Sequence, residues 1–172
     1  MGSIRSTLLV AALLWLAVIG QGTLAHAINI HGVQPDFPLV VLSCGSLLVG
    51  GVGGTWLGFW AGLLAAVSFP QAYGSLFFSR IAAGAFAGSV GQNLIRDNML
   101  VPPLVTVAST LLAEMLTALL APGYVFHHLR HWVMLMGGEL LYNALLAIPL
   151  FLFLRGIRVG QVTEDYFGRS FS

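Results

Sequence analysis

Gly50-Gly51-Val52-Gly53-Gly54-Thr55-Trp56-Leu57-Gly58-Phe59-Trp60-Ala61-Gly62-Leu63-Leu64-Ala65-Ala66 is the stretch whose reading decides the fold. Small residues recur at every fourth position, at Gly50, Gly54, Gly58, Gly62 and Ala66. On a helix this spacing gathers them on one side, drifting slowly around the axis. In an apolar segment it is the small-xxx-small pattern, which lets two helix backbones approach closely in lipid, where packing drives association. The plainer alternative is a turn or a thin spot in a buried helix. Divided between the two, residues 50–53 fit a turn, and Gly54, Gly58, Gly62 and Ala66 form a stripe for helix packing or partner contact, with no chemistry of its own.

The rest of the composition says what medium surrounds that stripe. Of 172 residues 58% are hydrophobic and only 8% charged, with a mean hydropathy of +0.91; a soluble domain carries about a quarter charged residues. So few charges cannot cover a water-facing surface, so the chain is expected to be an all-α integral membrane protein with little outside the bilayer. The seven basic residues, all Arg, and six acids leave a net charge of +1, which implies no nucleic-acid surface. The single cysteine, Cys44, excludes an internal disulfide and has the apolar neighbours of a buried, inert thiol. Arg5, the apolar run from Leu8 to Ile19 and the Ala25/Ala27 pair imitate a secretory signal, but the topology below works better with an uncleaved first helix.

Spans are expected at about residues 7–25, 39–49, 55–69, 76–91, 104–120 and 133–154, in a single transmembrane domain with a tail at 155–172. The second and third are short because no charged side chain occurs from Phe37 to Ser79, and the glycines after Val49 are the only strong break before Pro70. Spans shorter than the bilayer core imply tilt, thinning or shielding by other helices. Arg80, near the start of the fourth span, is expected to snorkel to the headgroups. Six spans place Arg5, Arg96, Arg155, Arg158 and Arg169 on one side, against Arg130 and the rim residue Arg80. This is the bias of cytoplasmic N and C termini in a multi-pass inner-membrane protein. A five-span arrangement would split the terminal arginines and ranks second.

Glu114 and Glu139 fall inside expected spans, where an unpaired carboxylate is costly. Either they belong to a proton or substrate pathway or, the favoured reading, they form an interhelical polar clamp with Asn143, one turn beyond Glu139. His127 and His131 have metal-ligand spacing, with His128 adjacent, but no H-E-x-x-H arrangement accompanies them and interfacial histidines need only water. No metal or other cofactor is expected. Gly51-x-Gly53 fits neither a Rossmann turn nor a P-loop, and no nucleophile motif or redox pair points to an enzyme.

Four motifs in order carry a resemblance: Pro35-Asp36-Phe37 entering the second span, Gly58-Phe59-x-x-Gly62-Leu63-Leu64 in the third, Leu94-Ile95-Arg96-Asp97-Asn98 in a polar loop, and Glu139-Leu140-Leu141-Tyr142-Asn143-Ala144-Leu145-Leu146 in the last span. With them the chain resembles the rod-shape-determining MreD family of bacterial inner-membrane proteins. Ala66 stands where many members look to carry an acid, so no role of that carboxylate transfers. The six-span topology places Arg96 and Asp97 in a cytoplasmic loop, and the resemblance implies a non-enzymatic scaffold of the cell-elongation complex. It would bind MreC and act alongside MreB, RodA and a class B penicillin-binding protein in peptidoglycan synthesis. The alternative is the S component of an energy-coupling-factor vitamin transporter, a fold MreD proteins look to share. That reading needs a pocket near the outer face, for which Trp56, Trp60, Tyr73, Arg80, His127 and His131 are candidates. An intramembrane enzyme using the histidines and Glu139 is a distant third.

Overall fold

The charge-free run folds as one helix with a corner in it. In the computed structural model, which describes residues 2–68, 73–93, 98–121 and 129–157, α1 spans Gly2–Ala27, α2 Phe37–Ser68, α3 Tyr73–Asn93, α4 Val101–Leu120 and α5 Leu129–Gly156. Among the described residues no strand forms; an isolated bridge pairs Ile30 with Val33 in the α1–α2 connection.

Inside α2, Gly50 alone leaves helical geometry, at φ 85° and ψ 179°, a combination open essentially to glycine. The chain folds back there. A Cβ built on Gly54 would lie 3.0 Å from Ser46 Cβ, and one on Gly45 would lie 3.4 Å from a Leu57 methyl. Along a straight helix, residues eight and twelve apart are about 12 and 18 Å distant. Helix α2 therefore has a first arm, residues 37–49, and a second arm, residues 51–68.

Two expectations are corrected. The helices expected at 39–49 and 55–69 are present as 37–49 and 51–68, but they join directly through the kink at Gly50 with no loop between them, so the described residues hold five continuous elements where six separate ones were expected. The turn expected over residues 50–53 is confined to Gly50, since residues 51–53 are helical. One glycine with a positive φ redirects the backbone without loop residues, and apolar flanks on both sides leave no need for a polar loop.

The first arm is the centre of the molecule. Leu39, Val40, Leu42, Ser43, Cys44 and Ser46 are all buried, which is why that segment carries only apolar and small side chains around its whole circumference. Helix α1 runs antiparallel to it, with Val10 against Gly45 and Gly20 beside Phe37. Helix α3 runs antiparallel to the second arm, in the closest helix contact of the chain. Gly54 meets the Gly84 carbonyl. A Cβ on Gly58 would come within 2.5 Å of the Arg80 carbonyl oxygen, and one on Gly62 within 2.6 Å of that of Phe77. Past the corner the same row continues, Gly88 meeting Gly50 and Gly91 meeting Leu47.

Helices α4 and α5 complete the bundle. Pro102 and Pro103 occupy the first turn of α4, where the missing N–H groups cost nothing, and Asn98 Oδ1 accepts from the Leu100 N–H at 2.9 Å. The apolar window of α2 is 72% buried, against 28% for α4 and 22% for α5, so the last two helices turn wide apolar faces outward, including Leu119, Leu141 and Leu145. Exposed apolar faces of that extent mark a membrane-facing surface. Among the described residues three helical segments are long and apolar enough to cross a membrane: Phe37–Ser68, Val101–Leu120 and Trp132–Gly156; Leu9–Ala25 is a shorter apolar stretch within α1.

Candidate functional site

At the end of the bundle away from Gly50, the α1–α2 connection inserts Asp36 between helices. Its Oδ1 accepts from the Leu39 N–H at 2.9 Å and so caps the first arm. Its Oδ2 takes the Nη2 of Arg80 on α3 in a buried ion pair. Arg80 is 6% exposed; it does not snorkel to an interface, which corrects the expectation. The physical reason is the Gly58 contact, which seats the Arg80 backbone against the second arm and sends the side chain inward to Asp36. Its Nε and Nη1 are buried without a hydrogen-bond partner among the described residues.

Around this pair the neighbouring helices each contribute a polar group. Asn143 on α5, fully buried, accepts from the Asp36 N–H through Oδ1 at 2.9 Å. Its Nδ2 donates to Thr110 Oγ1 on α4 at 3.2 Å and lies 3.5 Å from Glu139 Oε1. The Thr110 hydroxyl in turn donates to the Thr106 carbonyl at 2.9 Å. Glu114 on α4 and Glu139 on α5 lie in the same polar region, close enough for the charges of Arg80 and Asp36 to act on both. On the other side, Gln21 of α1 donates to the Pro35 carbonyl and accepts from the Phe37 N–H, both at 2.9 Å. The result is a polar knot tying all five helices at one level, with one cation and three carboxylates. Such a knot fixes helix register, since each buried polar group is costly if its partner moves.

A search against protein families matches the chain over residues 1–157 to the rod shape-determining protein MreD. The chain belongs to the MreD family. No curated protein and no solved structure is detectably similar to it. The MreD match covers every described helix and stops where the described residues stop. Membership makes this a bacterial membrane protein with a role in determining rod shape, a structural component of the shape-determining system.

Three of the four motifs that carry the MreD resemblance converge on the knot. Gly58 of the second supports the Arg80 backbone, Arg80 pairs with Asp36 of the first, and Asp36 binds Asn143 of the last. Of the third, Arg96 and Asp97 lie outside the described residues, while Asn98 shapes the start of α4. In the small-residue stripe, Gly54, Gly58 and Gly62 face α3 within the same chain, and Ala66 is buried. His127 and His128 lie outside the described residues, as does the side chain of His131. Among the described residues no group of three His, Cys, Asp or Glu side chains is arranged to hold a metal. Trp56 and Trp60 are 62% and 53% exposed on the outer side of the second arm, because each is two positions from Gly58, which faces α3. Arg80 points inward, so Trp56, Trp60 and Arg80 do not converge, and the side chain of Tyr73 lies outside the described residues.

Thr110 and Gln21 are not singled out by the sequence, while Asp36 enters only through the Pro35-Asp36-Phe37 motif and Arg80 only as a rim cation and pocket candidate, with nothing pairing the two. The usable signal was charge isolation: Asp36 and Arg80 bracket the charge-free run, one of each sign. Ions of opposite sign alone in apolar surroundings find each other or do not stay buried.

Proposed function

We propose that this protein is a non-enzymatic scaffold of the bacterial cell-elongation complex, binding the bitopic protein MreC within the inner membrane and supporting peptidoglycan synthesis with MreB, RodA and a class B penicillin-binding protein. The observation that carries the proposal is the MreD match across residues 1–157, since it spans the whole helical body. The geometry is in keeping with it: the buried side chains of Arg80, Thr110 and Asn143 tie helices together, and the outer faces of the second arm, α4 and α5 are apolar, suited to lateral contact with lipid or a partner helix.

The chain crosses the membrane six times in this proposal, with both termini cytoplasmic, in an arrangement like that of S components. The fold-back at Gly50 supports the count, because it lets α2 enter and return; with both termini cytoplasmic, Asp36, Arg80 and Asn143 would lie toward the outer face. Affinity capture of the tagged protein from native membranes, with its partners identified, tests the function. An MreC-like bitopic protein is the expected companion. Recovery of a bound vitamin with a transporter's ATP-hydrolysing module, and no elongation protein, would replace the scaffold with the S-component reading.

A further inference from the structure

Three observations made for different reasons fit a single moving part. The second arm of α2 and helix α3 touch backbone to backbone at Gly54, Gly58 and Gly62, so little can slide between them. Both helices leave this pair at the same end: the second arm begins at Gly50, and α3 finishes with Gly88 and Gly91 against Gly50 and Leu47. Toward the opposite end, the tie from the pair back to the α1–α2 connection is the Arg80–Asp36 ion pair.

We propose that the second arm and α3 form a rigid two-helix wing that pivots at Gly50 and is latched to the rest of the bundle by Arg80 on Asp36. Gly50 suits a pivot because it is the one residue of α2 outside helical geometry, so its φ and ψ can change without breaking a run of helical hydrogen bonds on either side. Arg80 suits a latch because its Nε and Nη1 have no hydrogen-bond partner among the described residues, while the charges of Glu114 and Glu139 act on it from α4 and α5. When Asp36 is lost or drawn away, the helix pair loses this tie to the α1–α2 connection while the charges of Glu114 and Glu139 still act on the cation, so the wing gains a second position. Gly50 to Ser68 measures roughly 27 Å at 1.5 Å per residue, so turning by about 10° displaces the wing tip by about 5 Å.

Distances between paired spin labels on the full chain in lipid nanodiscs test this. One pair, at Val67 and Leu145, spans from wing to bundle; a second, at Val67 and Phe78, lies within the wing, and all three positions are exposed. Cys44 is 0% exposed and stays in place. Asp36→Asn and Arg80→Gln are each expected to add a population shifted by about 5 Å to the wing-to-bundle distance, while the within-wing distance stays as in the parent. Asp36→Asn is the safer variant for folding, since the charges of Glu114 and Glu139 still act on Arg80. Wing-to-bundle distances that match the parent in Asp36→Asn overturn the latch, and a within-wing distance that changes equally overturns the rigid wing.

Discussion

Asn143 shows how much one side chain decides here. It sits on an apolar helix, yet its amide serves the Asp36 N–H on one side and the Thr110 hydroxyl on the other. Asn143→Ala leaves the part-buried Asp36 N–H without its acceptor and unties α5 from Thr110, whose hydroxyl keeps its bond to the Thr106 carbonyl, at an expected cost of about 1–3 kcal/mol. The adjacent Tyr142 offers the contrast: its hydroxyl donates to the Ile28 carbonyl at 3.1 Å, but in an exposed setting, so Tyr142→Phe should stay within about 0.5 kcal/mol. Thermal unfolding of the purified protein in one detergent compares them, and equal midpoints would mean the Asn143 bonds do not hold the helices. The sequence did single out Asn143, since an amide cannot face lipid cheaply; it could not name Asp36 as the partner, because that contact joins residues 107 positions apart.

At the scale of the element, the glycines separate into those with a neighbour and those without. A leucine at Gly58 would drive into the Arg80 carbonyl and Ile81 Cα, so Gly58→Leu should lower stability by about 1–3 kcal/mol through overpacking. Gly137, on α5, has open space where its Cβ would be; Gly137→Ala should lose nothing and gain up to about 1 kcal/mol from helix propensity. Protease resistance of the two variants in membranes gives the ranking, and an undiminished Gly58→Leu would mean that α3 does not rest on this stripe. Four-residue spacing was legible in the chain as a close-packing pattern. What it left open was the partner: α3 was readable as another small-residue helix through Ala83, Gly84, Ala87 and Gly88, but nothing local says that these two faces choose each other. Gly50 was legible as a break, and its sharpness was not, since φ at one glycine depends on what the arms pack against.

For the molecule as a whole, the helix directions produce two ends, one with Ile30 and Asp36 and the other with Gly50, Met99 and Arg155. Single cysteines at Ile30 and Met99, 58% and 55% exposed, report on them against the silent Cys44. Six crossings predict that Ile30→Cys reacts with an impermeant maleimide from outside intact spheroplasts and Met99→Cys only after permeabilisation. Labelling of Met99→Cys from outside would leave α2 a single crossing. Composition made the membrane legible from the start, because 8% charged residues cannot dress a water-soluble surface. The count of helices was less so, because a run with no charge gives hydropathy nothing to divide it by.

The bond between Asp36 and Asn143 also bears on how the protein is made. Synthesis proceeds from the N-terminus, so the first arm of α2 emerges with Ser43, Ser46 and the Asp36 amide well before α4 and α5 exist to enclose them. Until α5 emerges, this short, polar-studded helix has no complete shelter from lipid. Its proper home is then a provisional one, at the insertion machinery or the headgroup layer, and the last helix to be translated is the one that lets the central helix settle.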